Sequence, residues 1–556
     1  MSEVLVLGID YGTDSCRVAA LDARTGKTAG EAVAAYPRWA AGLYCSPSEN
    51  IFRQHPLDYL ESLEAGMRGL SAALEAKGCG AKGLEAVAGI AFATTGSTPC
   101  LVDSRGMPLA MSAEFAQDPD GMFVLWKDHS AIAEAEEINR LSRSWGGEDF
   151  TKFSGGSYSP EWFWAKALHL VRANPRVGSA FHSILEHCDW MPLLLTETPL
   201  AMAKRSRCVA GHKAMWHERF GGFPSKSFLG FLDPRLAEAR DTLGSGTFTA
   251  DQVFGLLSPV WASRLGLKPG IPVAVGAIDA HIGAVGSGAG PGVLVKVMGT
   301  STCDMIVAPK EGGGERLVQG ICGQVDGSIL PGMLGYEAGQ SAFGDAYAWF
   351  KNLLSWPIEA ILPEAEGVKE KIDASIMNVL GEEAGKIDPE RSSVLALDWL
   401  NGRRTPDLAP FLKGALVGLT LGATAPMIFR ALVEATAYGT RAIVERFEAQ
   451  GVAIQGILAL GGVARKSPLV MQIVADVLGR PIGIVGSDQT VALGAAMFAA
   501  VAAGVYPDIG QAQKALKPSI EHIVQPNPAR GVVYDRLYAE YLELGRYAES
   551  LEARRP

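Results

Sequence analysis

Gly8-Ile9-Asp10-Tyr11-Gly12-Thr13-Asp14-Ser15-Cys16-Arg17 is the stretch on which the fold turns. The run at residues 4–9 is short, apolar and rich in β-branched side chains, which predicts a buried strand; residues 17–22 predict a second. The strand delivers Asp10 to its end, and Gly12 lets the turn bring backbone amides close to a ligand. Thr13 and Ser15 add hydroxyl donors and Arg17 adds charge. That set suits polyphosphate oxygens, with Asp10 holding Mg²⁺ directly or through water. Read alone, the segment is equally a plain hairpin turn. Gly26-Lys27-Thr28 resembles the end of a P-loop, but Leu21 stands where the first glycine is required. Residues 22–27 therefore read as a hairpin turn.

Outward from this turn, helical patterns cover residues 57–76, 131–143 and 161–172, and a strand covers 87–93 before Ala93-Thr94-Thr95. Strands alternating with amphipathic helices predict an α/β domain. The pattern then begins again. Residues 272–276 form a strand before Ala277-Ile278-Asp279, and a glycine-rich stretch follows at 283–292. Residues 293–298 and 303–307 are strands around Gly299-Thr300-Ser301-Thr302. A strand, a glycine-plus-hydroxyl turn and a second strand thus head each half of the chain, a weak internal repeat that makes two opposed phosphate clamps plausible. Helix-strand-helix patterns close the second half at 428–450, 454–460, 467–478 and 491–505, with a charged terminal helix at 534–553. Gly461-Gly462-Val463-Ala464-Arg465 follows one of these strands, and its paired glycines allow close approach of a phosphate or a flat ring. The boundary between two domains is expected in the 283–292 region, as residues 1–287 and 288–556.

The chain has 556 residues, more than one hydrophobic core usually supports. A net charge of −10 without any Lys/Arg run argues against nucleic acid as a partner. Eight scattered cysteines, none in a CxxC pair, read as free thiols in a reducing compartment. Residues 414–429 and 491–506 are uncharged, but too short to span a bilayer, and are expected to be buried, closely packed segments. No signal peptide is evident, so a cytoplasmic protein without membrane association is expected. His182/His187 and His212/His217 are each spaced by five and lack nearby thiolates, so no zinc site is expected. Trp162-Phe163-Trp164 reads as a core-facing stripe.

The Asp10–Arg17 hairpin, the Gly276-Ala277-Ile278-Asp279-Ala280-His281 segment, the Gly299-Thr300-Ser301 turn and the Gly461-Gly462-Val463-Ala464-Arg465 loop resemble, in the same order, the motifs of the FGGY carbohydrate kinases. Residues 414–434 resemble a further signature of that family, with Met427 where a polar residue is usual. Segments such as Tyr36-Pro37-Arg38-Trp39, Leu125-Trp126-Lys127-Asp128-His129, Gly211-His212-Lys213-Ala214-Met215-Trp216, Tyr336-Glu337-Ala338-Gly339-Gln340 and Asp398-Trp399-Leu400-Asn401-Gly402 are similar to its ketopentose-phosphorylating branch.

The resemblance implies two actin-like (ribonuclease H-like) ATPase domains with the active site in the cleft between them. It implies ATP and Mg²⁺ as cofactors, a ketopentose as acceptor, and a homodimer. Asp279 would be the catalytic base and, with Asp10, a metal ligand. Ala93, Thr94, Thr95, Lys204, Asp279 and Glu337 would bind the sugar, with Asp128 a lesser candidate. Gly12, Thr13, Ser15, Arg17, Gly299, Thr300, Ser301, Gly461, Gly462 and Arg465 would hold the nucleotide phosphates. A kinase for another ketose or polyol, and a non-catalytic actin-like sugar-responsive module, are the competing readings.

Overall fold

The computed structural model describes residues 4–78, 82–310, 316–362, 364 and 366–554. Cys79 lies outside these residues; the other seven cysteines are free thiols.

The first sheet is built on the strand Leu5–Tyr11, whose alternate residues serve two different interiors. Leu5, Leu7, Ile9 and Tyr11 enter a core with Tyr59, Leu63, Met67 and Leu70 of the helix Pro56–Ala76, whereas Val6 enters a second core. Because both faces are covered, the strand reads as a continuous apolar run. It pairs antiparallel with Ser15–Asp22 and parallel with Val87–Thr94. The full order is Val253–Leu256, Pro272–Ala274, Val87–Thr94, Leu5–Tyr11, Ser15–Asp22, Thr28–Ala35, with the short strand Ala277–Ile278 pairing onto the end of Val87–Thr94.

The second sheet repeats that plan. Val293–Met298 pairs antiparallel with Thr302–Ala308 and parallel with Gly456–Leu460, which pairs in turn with Ile482–Val485. Leu334–Ala338 continues the antiparallel side, followed by Gly323–Asp326 at one edge, and Ile520–Val524 forms the other edge. In each half a three-stranded antiparallel meander thus continues into parallel strands beyond its first strand. This substantiates the expected repeat and the two-part actin-like α/β architecture.

Two helices lie between the sheets: Asp279–Ser287 and Thr490–Ala502. They share one hydrophobic core with Val6 and Ala91 of the first sheet and Val295, Met305 and Leu460 of the second. The packing is backbone against backbone. A Cβ on Gly286 would stand 1.9 Å from the Thr490 carbonyl oxygen, and one on Gly494 would stand 2.0 Å from that of Ile282. Gly8 and Gly89 of the first sheet are pressed in the same way against the Ala492 and Ala499 carbonyls.

Within the 283–292 stretch, where the domain boundary was expected, Gly283 and Gly286 serve this tight helix crossing. Gly288 closes the helix in the left-handed conformation, with φ of 93°. Residues 491–502 are helical and mainly buried, as expected. Much of 414–429 is not: Leu419 and Leu421 project into solvent, and burial begins only around Phe429 within the helix Ala425–Ala449. Lacking charge, that loop imitates a core segment in sequence. The other helices and strands fall within a few residues of their expected places. No helix is long and apolar enough to cross a membrane, among the described residues.

Gly494→Ala is expected to cost about 1–3 kcal/mol, since the added methyl has only backbone to displace. Gly290→Ala, with nothing within 4 Å of the new Cβ, should stay within about 0.5 kcal/mol of wild type. Urea unfolding of the two variants checks the difference.

Candidate active site

Strand register gathers the acidic groups. Asp10 and Ala277 both lie beside Ala93, and in the next row Tyr11 and Ile278 both lie beside Thr94. Asp279 follows immediately as the first residue of its helix, its Oδ1 accepting from the Ala280 amide at 2.6 Å. Asp10, two residues after Gly8 on the strand, shares Gly8's face toward the shared helices. Burial pushes the Asp10 carboxyl up to about 6 against the pull of Arg17, its cross-strand neighbour. Burial and the nearby Asp10 charge push Asp279 up to about 7. Two carboxylates that raise one another in a dry site make a strong proton acceptor and a poorly neutralised negative pair.

Asp279 lines a cavity of about 200 Å³, together with Thr13, Thr95, Trp126, Lys213 and Glu337. A second cavity of about 880 Å³ lies wholly in the second half, between the start of the helix Gly344–Ile361 and residues 462–470. Gly299 and Thr300 line both cavities, and the turn they occupy is held from two sides. The Thr300 carbonyl accepts from the amides of Phe343 (2.9 Å) and Asp345 (3.0 Å), and the Gly299 carbonyl from Gly344 (3.1 Å). Gly344 and Gly461 cannot carry side chains here. A Cβ on Gly344 would stand 2.5 Å from the Gly299 carbonyl oxygen, and one on Gly461, at φ of 99°, 2.4 Å from that of Met298. Beneath the turn, the buried Lys296 ammonium donates to both Asp304 oxygens and to Gln340 Oε1 at 3.0 Å.

Two ion pairs join the halves around the small cavity. Lys213 Nζ donates to Glu337 Oε1 at 2.6 Å. Burial works against the Glu337 carboxylate, but the Lys213 ammonium overrides it and holds its pKa at about 2. Arg404 Nη2 donates to Glu161 Oε1 at 3.0 Å, and His129 Nε2 lies 2.9 Å from the same oxygen. Despite burial, the Arg404 charge and the hydrogen bond from His129 hold the Glu161 carboxyl far below its usual range. On the first-half side, the Trp126 indole N–H donates to Thr13 Oγ1 at 3.1 Å, tying the cavity wall to the phosphate turn. Lys166 Nζ braces the same wall by donating to the carbonyls of Ser97 and Leu125, each at 2.8 Å.

The structure brings Thr13, Thr95, Asp279, Gly299, Thr300, Ser301, Gly462 and Glu337 to the cavity walls. Gly12, Ser15, Ala93, Thr94, Gly461, Asp10 and Arg17 lie behind those walls, in the turns and strands that shape them. Two of the expected residues belong elsewhere. Lys204 lines neither cavity; its ammonium donates to the Val253 carbonyl at the sheet edge and sits over the Phe248 ring. The lysine facing the cavity is Lys213, nine positions on. Arg465 is likewise turned away, pairing with Asp488 and, at 3.4 Å, with Glu521, and Lys466 lines the large cavity instead. Asp128 is occupied by Arg53 and Ser130 and is a buried structural anion. Trp162 lines the small cavity, while Phe163 and Trp164 fill the core as expected.

Sequence reading missed Lys213, Lys296, Glu161, Arg404 and Trp126 as site residues. Lys296 carried a signal, a lone charge inside the apolar strand Val293–Met298. Lys213 and Trp126 stand in segments already singled out for their resemblance. Glu161 and Arg404 gave none, because their pairing spans the two halves.

A small acidic cavity meeting a large cavity at a glycine-hydroxyl turn, between two repeated sheets, defines an ATP-dependent phosphotransferase of the actin-like class. The model of the FGGY family of carbohydrate kinases, C-terminal domain, matches residues 294–503. A protein of Vibrio parahaemolyticus described as ribulokinase is 45% identical over 98% of this chain and 96% of its own length. A ribulokinase of Halalkalibacterium halodurans is 39% identical over 98% and 95%. The fold is similar to the crystal structure of xylulose kinase from Rhodospirillum rubrum (TM-score 0.76, 22% identity, 99% of this chain and 100% of that one). It is also similar to Plasmodium falciparum glycerol kinase with ADP (TM-score 0.72, 15% identity, 97% and 98%). The chain belongs to the FGGY family of carbohydrate kinases, and the two sequence relatives named above, each matched over nearly its whole length, are ribulokinases.

Lys213→Met should raise the KM for the acceptor sugar at least about tenfold with little change in the KM for ATP. Lys204→Met should leave both near wild type. Steady-state kinetics against each substrate separates the two lysines.

Proposed function

We propose that the protein transfers the γ-phosphoryl group of ATP to O5 of L-ribulose, giving L-ribulose 5-phosphate in L-arabinose catabolism. The observation that carries this reading is the meeting of the two cavities at Gly299–Thr300, with Asp279 on the wall of the smaller. The smaller falls below the ~300–1,000 Å³ typical of drug-sized ligands and suits a compact, hydroxyl-rich acceptor. Its lining offers a carboxylate, an ammonium paired to a second carboxylate, and the Thr95 hydroxyl, matching a molecule with several hydroxyls and one carbonyl. The full-length similarity to ribulokinases supports ribulose among such acceptors.

Phosphoryl transfer to an alcohol requires alignment and charge neutralisation more than covalent chemistry. Asp279 accepts the proton of the attacking hydroxyl as its oxygen bonds to the γ-phosphorus and the bond from that phosphorus to the β-bridging oxygen breaks, leaving ADP. Burial gives Asp279 the basicity for this near neutral pH. Thr13 and Ser15 from one half, and Gly299, Thr300 and Ser301 from the other, approach the phosphates through hydroxyls and turn amides. Asp10 and Asp279 are hard oxygen donors whose shared negative charge suits Mg²⁺. When bound, that ion supplies neutralisation of phosphate charge. Glu337 and Lys213 hold the sugar, with Trp126 and Trp162 as walls that exclude water.

We place the domain break at 287/288, where the Asp279–Ser287 helix ends. Each half holds part of the site, so productive binding draws the halves together. A cytoplasmic homodimer is the expected working form, on the family resemblance.

A coupled ADP-release assay over ketopentoses, aldopentoses and polyols should show the highest kcat/KM for L-ribulose; a clear preference for another acceptor would overturn the assignment. Asp279→Asn should lower kcat by about 10²–10⁴-fold while nucleotide binding persists. Because the carboxylate must be ionised and its pKa is raised, kcat/KM should fall as pH drops through about 7. Cation binding beside Asp279 would move that acid limb lower.

A further inference from the structure

Behind the wall of the small cavity, three buried groups converge from three separate elements: His212, His281 and Glu337. His212 closes the short helix Arg207–Lys213, His281 lies in the first turn of Asp279–Ser287, and Glu337 belongs to the strand Leu334–Ala338 of the second sheet. Lys213 takes Glu337 Oε1. The other oxygen, Oε2, is buried with no hydrogen-bond partner. It faces His212 Nδ1 at 3.5 Å and His281 Nε2 at 3.4 Å. His212 Nδ1 and both His281 nitrogens are also buried without partners.

The hydrogen bonds around His212 fix which nitrogen carries its proton. Ser328 Oγ donates to the Val325 carbonyl at 3.1 Å, so toward His212 Nε2, at 3.0 Å, it can only accept. Nε2 therefore bears the hydrogen. In the neutral ring this leaves Nδ1 with a bare lone pair aimed at a carboxylate oxygen. Two electron-rich atoms facing one another in a dry interior is a costly arrangement unless something positive lies between them. The two distances that run through Glu337 Oε2 match such an occupant. Donors about 2.0–2.1 Å from a tetrahedral zinc-class ion stand about 3.3–3.4 Å apart. The Nε2–H bond to Ser328 is the outer contact that orients a metal-binding imidazole. Gly323 keeps the space beside Nδ1 open, since a Cβ there would stand 2.6 Å from that nitrogen.

We propose that His212, His281 and Glu337 form a binding site for a zinc-class divalent transition metal. It is distinct from the Mg²⁺ position at Asp10 and Asp279, because imidazole donors favour Zn²⁺ or Co²⁺ over Mg²⁺. The bound ion joins both halves and the helix that carries Asp279, and it withdraws Glu337 from the acceptor sugar. Its effect on the kinase is inhibitory. Neutral imidazoles and an ionised carboxylate receive the metal without releasing a proton.

The test uses the full-length protein, stripped with a chelator and titrated with Zn²⁺ in the presence of excess Mg²⁺. The expected result is one tight equivalent, which His281→Asn weakens more than tenfold and His212→Asn likewise. Circular dichroism and ATP binding of each variant check that it is folded. Co²⁺ loaded at one equivalent should give the intense visible absorption of a tetrahedral site, lost in His281→Asn. No stoichiometric Zn²⁺ binding, binding unchanged in folded His281→Asn, or the weak spectrum of octahedral Co²⁺ would each overturn the site. None of these readings depends on which sugar is phosphorylated.

Discussion

The close crossing of the Asp279–Ser287 and Thr490–Ala502 helices is the constraint on which the rest of the molecule depends. These helices form a layer common to both sheets, and they touch through backbone at Gly286 and Gly494. Backbone contact leaves no side-chain slack, so the positions of the two sheets are fixed relative to one another at this crossing. The same helix that makes the contact begins with Asp279. The proton acceptor proposed above is therefore positioned by the element that joins the halves, and any relative movement of the sheets is a movement about the Asp279 carboxylate.

Around that pivot, charge is divided between the halves. Lys213 and Glu161 belong to one side, and Glu337 and Arg404 to the other; the first pair is buried and the second half-buried, each joined across the cleft. Separated, each would be a buried or half-buried charge without compensation, which costs several kcal/mol per ion. The cleft is thus polarised toward the joined arrangement at the sugar end. The large cavity, by contrast, lies within the second half alone, around the Gly299–Thr300 turn and the start of the Gly344–Ile361 helix.

The fold was largely legible in the sequence because its key strands are covered on both faces and write near-continuous apolar runs, as at residues 4–9 and, but for Lys296, at Val293–Met298. The repeated turns could be placed because they require glycine beside hydroxyl residues at strand ends. What could not be read was orientation. Lys204 and Lys213 lie in one basic stretch, and only the path of the short helix Arg207–Lys213 turns the second toward the cleft. Arg465 and Lys466 are adjacent, so a shift of one residue on a helix decides which lines the nucleotide cavity. The convergence of His212 and His281 is a product of chain topology, invisible to local spacing. The exposed loop at 414–424 misled for the opposite reason: absence of charge is not burial.

The shared helical layer also bears on how the polypeptide is made. The first sheet is complete once Ala277–Ile278 has been synthesised, yet the face bearing Val6, Gly8, Gly89 and Ala91 is covered by a helix ending at Ala502. Through most of the synthesis of the second half, that glycine-lined apolar face has no permanent cover. Folding of the first half on the ribosome must therefore stop short of a finished interior, leaving a surface prone to association and suited to chaperone binding until the last tenth or so of the chain emerges.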